Sequence, residues 1–144
     1  IYRIRKKMKL AVVTNVEHDL SELISYGTSV GFDMVAINSG FFHEITSSVH
    51  AVIYIMKGTL ADTREELSML AHNMQSNGIK RLVIYSHDLK DIRLHNENFD
   101  WTVISDANNS RQKSIYDKEF AKYLIGQVTD SRNINSIIVR PTSG

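Results

Sequence analysis

The residues of this chain best able to move protons near neutral pH are its six histidines: His18, His43, His50, His72, His87 and His95. None stands in an H-E-x-x-H or other ligand spacing, so the histidines give no metal-site signature. His87-Asp88 is the pair best suited to acid–base work, because it follows the apolar run Leu82-Val-Ile-Tyr85. An exposed histidine beside a helix-capping aspartate accounts for the same dipeptide. Tyr26, Tyr85, Trp101, Phe120 and Tyr123 could stack on a flavin or a base, or fill the core and a partner-facing surface. Cysteine is absent, which removes disulfides, thiolate zinc sites, cysteine nucleophiles and cysteine-held iron–sulfur clusters.

The elements that must position these groups alternate. Leu10-Ala-Val-Val-Thr14 is a continuous apolar run, as expected of a strand covered on both faces. Asp19 with Glu22 three residues later predicts a capping box opening a helix that stops near Gly31. Met34–Ile37 reads as a second strand, residues 41–48 as a short helix or loop, and Ala51–Met56 as a third strand. Thr63 and Glu66 predict a second capping box, with Leu67, Leu70, Ala71 and Met74 on one stripe of a helix closed by Gly78. Strands follow at Leu82–Tyr85 and Trp101–Ile104, with residues 90–98 open to either assignment. A helix over Tyr116–Val128 and a final strand at Ser136–Arg140 complete the chain. This order predicts one domain over residues 1–144: a three-layer α/β fold with a mainly parallel sheet, helices on both faces and right-handed crossovers.

In such a sheet ligands bind at the carboxyl ends of the strands, near the point where strand order reverses. The segments to examine are Thr14-Asn15, Ser39-Gly40, Lys57-Gly58, Ser86-His87-Asp88, Asp106-Ala107-Asn108 and Thr142-Ser143-Gly144. Their small polar groups could bond a phosphate or a ribose, or simply supply turn chemistry. No G-x-G-x-x-G, G-x-x-x-x-G-K-[ST] or G-x-S-x-G occurs, which removes the usual dinucleotide fingerprint, the P-loop and the serine-hydrolase elbow. A phosphoreceiver would need an aspartate ending the third strand, where this chain has Met56-Lys57-Gly58.

With 144 residues, 42% hydrophobic and 23% charged, the chain has the make-up of an ordinary globular domain. No apolar run reaches the roughly 18 residues of a membrane span, and the first residues lack the pattern of a leader. Met8 reads as a natural start, with residues 1–7 an N-terminal extension. A net charge of +1 gives no electrostatic case for nucleic acid, and the basic cluster Arg3, Arg5, Lys6, Lys7 and Lys9 reads as a solvated terminal segment. A cytoplasmic location is expected.

Several stretches resemble the N-terminal domain of the electron transfer flavoprotein alpha subunit. They are Leu10–Thr14, Ser21-Glu-Leu-Ile-Ser-Tyr-Gly27, Met34-Val-Ala-Ile-Asn-Ser-Gly40, Tyr116–Ile125 and Ile137-Ile-Val-Arg-Pro-Thr-Ser-Gly144, in the family's order over roughly half the chain. The family carries FAD mainly in a C-terminal domain that no sequence here could form. Residues 51–109 hold more strand and helix than its central region, and Arg140-Pro141 replaces its glycine-led approach to the T-S-G turn. The resemblance implies an alpha-related partner in flavin-dependent electron transfer, with FAD or an adenine nucleotide bound through a beta-type subunit or a homo-oligomer. It implies a carrier or binding protein more than a stand-alone catalyst. The alternative is a nucleotide-binding or regulatory module of the Rossmann-like, adenine nucleotide alpha hydrolase-like folds. In both readings the expected cofactor-binding residues are Thr14, Asn15, Ser39, Gly40, Thr142, Ser143 and Gly144, with no catalytic or metal-binding residue assigned.

Overall fold

A computed structural model describes residues 8–14, 20–56, 60–86, 99–106 and 118–140. Its strands are β1 (Lys9–Thr14), β2 (Asp33–Asn38), β3 (Val49–Met56), β4 (Arg81–Ser86), β5 (Asp100–Asp106) and β6 (Ser136–Arg140). Its α-helices are α1 (Ser21–Ser29), α2 (Leu60–Ser76) and α3 (Lys118–Thr129), with 3-10 segments at Ser39–Glu44 and Ser131–Asn133. The six strands form one all-parallel sheet in the order β2-β1-β3-β4-β5-β6. This is a three-layer, Rossmann-like α/β fold.

The two-residue period of the strands sorts their side chains between two cores. Leu10, Val12, Ile53, Val83, Tyr85 and Ile104 point to one face, where they meet Leu23 of α1 and Phe120, Ala121, Leu124, Ile125 and Val128 of α3. Ala11, Val13, Val52, Tyr54, Leu82, Ile84 and Val103 point to the other, against Leu67, Leu70 and Met74 of α2 and Phe42 and Ile45 of the first 3-10 segment. Burial on both faces is why these strands read as unbroken apolar runs rather than alternating ones.

The helix faces also fix the hand of the connections. β1–α1–β2 and β3–α2–β4 move in opposite directions along the sheet and lie on opposite faces, so they share one hand. β5–α3–β6 moves in the same direction as β3–α2–β4, yet α3 lies on the α1 face. Its hand is therefore the reverse of the other two, a departure from the expected uniform right-handed crossovers, which hold in about 98% of such units.

Both predicted glycine stops are present. Gly31 has φ +100° and Gly78 φ +71°. The Phe32 amide bonds the Gly27 carbonyl at 2.9 Å and the Gly31 amide bonds that of Thr28 at 3.1 Å. At the end of α2 the Ile79 amide bonds Met74 at 2.9 Å and the Gly78 amide bonds Gln75 at 3.2 Å. This paired pattern satisfies the last carbonyls and packs an apolar residue just beyond each helix, Phe32 partly buried and Ile79 buried.

The capping box predicted at Thr63 and Glu66 is not formed, and the one predicted at Asp19 and Glu22 cannot be followed to its cap. The N-cap of α1 is Leu20, without a side-chain bond, and Asp19 lies outside the described residues. α2 begins at Leu60, three residues before the expected cap, which places Thr63 within the helix and leaves Glu66 for a different partner. The short strand expected at Trp101–Ile104 extends over Asp100–Asp106, and residues 90–98 lie outside the described residues.

Candidate functional site

Strand order reverses between β1 and β3, because β1 leads through α1 to β2 on one side and β3 leads through α2 to β4 on the other. The carboxyl ends of these two strands therefore bound the crevice at which ligands bind in open parallel sheets. Thr14 is the last residue of β1 and is buried, in register with Asn38 of β2 and Ile55 of β3. Ser39 and Gly40 open the 3-10 segment that follows β2, at the same edge of the sheet. The structure thus brings Thr14, Ser39 and Gly40 to neighbouring strand ends. Asn15, Thr142, Ser143 and Gly144 lie outside the described residues, as do Lys57-Gly58, His87-Asp88 and Ala107-Asn108. Asp106 is the last residue of β5.

Two features at this edge were not anticipated. Tyr54, fully buried two residues before the end of β3, donates its hydroxyl to Glu66 Oε2 of α2 at 2.6 Å. Burial, then the hydrogen bond to Glu66, then that carboxylate's charge push the phenol well above the usual tyrosine range. The hydroxyl stays protonated and acts as a fixed donor that orients Glu66 in the first half of α2. The sequence signal is a tyrosine inside an otherwise aliphatic strand, whose hydroxyl must find a partner once buried.

The second feature is Phe41. Its neighbours Phe42 and Ile45 are buried in the α2-side core, and Asn77 Nδ2 bonds the Ile45 carbonyl at 3.2 Å. Phe41 itself breaks the helical geometry (φ −120°, ψ 40°) and is 48% exposed. Its ring meets His43 edge-on, with centroids 5.9 Å apart. Asn38 is exposed and its side chain makes no capping bond to the segment it precedes, while the position of a Cβ on Gly40 would have no heavy atom within 4 Å.

The opposite, amino edge of the sheet carries the densest polar network among the described residues. Arg81, first in β4, donates Nη1 to Thr102 Oγ1 at 2.8 Å and to the Asp100 carbonyl at 3.0 Å, and Nε to the Val128 carbonyl at 3.2 Å. Its Nη2 reaches the Gln127 carbonyl. Burial pulls the guanidinium somewhat below its ordinary value, opposed by Asp100 and Asp130. Thr102 in turn donates to the Asn133 carbonyl at 2.7 Å, and Asn133 Nδ2 bonds Gln127 Oε1 at 2.8 Å. Nearby, the partly buried Asp130 carboxylate is held below the usual range by hydrogen bonds from the Arg132 side chain and backbone. The network satisfies the end of α3 and ties it to β4 and β5, at the far edge from the crevice.

Of the histidines, His72 lines a shallow depression on the outer face of α2 with Glu65, Ser68, Met69 and Asn73. His50 Nδ1 accepts the Lys9 amide at 3.0 Å, beside the register shift between β1 and β3. Among the described residues no three metal-ligating side chains converge, and no helix is long and apolar enough to cross a membrane. No protein-family model, curated protein or solved structure matches this chain.

Proposed function

We propose that this chain is a nucleotide-binding α/β module, whose ligand lies across the carboxyl edge at the β1/β3 reversal. The observation that carries the reading is the strand order, which opens a crevice beside the end of β1 and sets Thr14 in register with Asn38. A buried threonine, an exposed asparagine and the small residues Ser39 and Gly40 supply groups of the type that bond phosphate and ribose. The role is that of a binding or regulatory protein. Thermal unfolding in the presence of ATP, ADP, AMP, NAD and FAD tests it. At 100 times its dissociation constant, a ligand that binds the folded state adds about 2.7 kcal/mol. An unchanged unfolding temperature with all five overturns the proposal.

A second reading, flavin-dependent electron transfer as an alpha-related subunit, draws on the resemblance. Two of the resembling stretches, Ser21–Gly27 and Met34–Gly40, pack directly on each other through Gly27 and Met34. In that role the protein would supply orientation and a partner surface, and the cofactor the redox chemistry. Flavin absorbance in a complex with a beta-type subunit supports it. Absence of both flavin and association removes it.

A further inference from the structure

We propose that Phe41 is the stacking platform for the base of a bound adenine nucleotide, with Asn38 bonding the sugar or the base edge. The inference rests on the nucleotide-binding reading and adds to it the orientation of the ligand. Three observations converge.

First, Phe41 sits on a rigid support. Phe42 and Ile45 are locked in the core with Ile37, Leu67 and Leu70, so the neighbouring ring is presented from a fixed backbone. Second, the ring is half-exposed, so part of its surface is open to solvent, and a flat base is the ligand group that matches an aromatic face. The His43 ring meets it edge-on and steadies its orientation. Third, the surroundings suit a nucleoside. Asn38 offers an amide with both donors and acceptor, and the space beside Gly40 is open. Thr14 and Asn38 are register partners, so their backbones lie about one strand spacing, roughly 5 Å, apart at the sheet edge.

Binding of ADP to Phe41→Ala, Phe41→Trp and wild-type protein, measured by calorimetry, tests the assignment. The expected result is a 5- to 150-fold loss of affinity in Phe41→Ala, the range found for roughly one stacked base, and near-wild-type affinity in Phe41→Trp. Unfolding temperatures without ligand should coincide, since this side chain is exposed. Equal affinity in all three proteins overturns the platform while leaving the nucleotide reading standing. An equal loss in Phe41→Ala and Phe41→Trp also overturns it, because any stacking surface should serve. If wild-type protein binds no ADP, the platform proposal fails, whereas the nucleotide reading falls only if all five ligands leave the unfolding temperature unchanged.

Discussion

Tyr54 and Glu66 come from different elements, yet each accounts for the other. A phenol that is fully buried beneath α2 must have an acceptor, and Glu66 supplies a charged one. Replacing Tyr54 by Phe keeps the ring and removes the bond, so the variant should lose about 1.5–3 kcal/mol, the usual net worth of a hydrogen bond to a charged group. The loss should depend on pH in a definite direction. The folded-state value of Tyr54 is raised, so its contribution is fully present below the ordinary tyrosine range, near pH 10, and falls away as the pH rises beyond it. Urea unfolding of both proteins between pH 7 and 11 should therefore show a constant gap that narrows only at the alkaline end. A gap that widens there would contradict the assignment.

At the scale of elements, the α1–β2 contact is governed by one missing carbon. A Cβ on Gly27 would fall inside the van der Waals distance of the Met34 sulfur, so the glycine sets how closely helix and strand approach. Two effects oppose each other in Gly27→Ala. Helix propensity favours alanine by about 1 kcal/mol, whereas overpacking costs about 1–3 kcal/mol. The single variant should be destabilised by about 1 kcal/mol, and the same change in a Met34→Ala background should stabilise by about 1 kcal/mol. A double-mutant cycle in urea measures the difference.

Most of these elements were legible in the sequence. Unbroken apolar runs marked the strands because both faces of the sheet are covered, and Gly31 and Gly78 marked the helix ends because each adopts positive φ. The start of α2 was misread for a physical reason. A Ser/Thr/Asp–x–x–Glu pattern is blind to tertiary partners, and Glu66 is engaged by Tyr54 across the layers rather than by its own helix end. Of the expected site, Thr14, Ser39 and Gly40 lie together at one edge, as the strand-end rule anticipates. Phe41 was passed over because an exposed aromatic and a core aromatic are the same letter. Only its φ of −120° and the buried residues after it separate the two.

For the whole molecule, the reversed β5–α3–β6 crossover needs something to hold α3 on the α1 face. Arg81 is placed to do this: it projects to that face and gathers the last carbonyls of α3 together with β5. Arg81→Met should lower the unfolding free energy by about 2–3 kcal/mol, because partly buried carbonyls lose a charged donor. Arg81→Lys should recover less than half of that, since an ammonium cannot copy a planar fork with several simultaneous acceptors. Denaturant midpoints of the three proteins decide the matter. A lysine variant as stable as wild type would mean that charge alone holds the helix.

The position of α3 also sets an order of events during synthesis. The α2-side layer is complete once β4 and β5 have joined the sheet, because α2 and the first 3-10 segment precede them in the chain. The other layer must wait. Val83, Tyr85 and Ile104 are covered by Phe120, Leu124, Ile125 and Val128, which emerge last but for β6. A ribosome adding roughly 5–20 residues per second leaves that surface open for the seconds needed to deliver α3. A nascent chain halted after β5 would thus carry one finished face and one apolar face covered only by α1, the form in which chaperones would meet it.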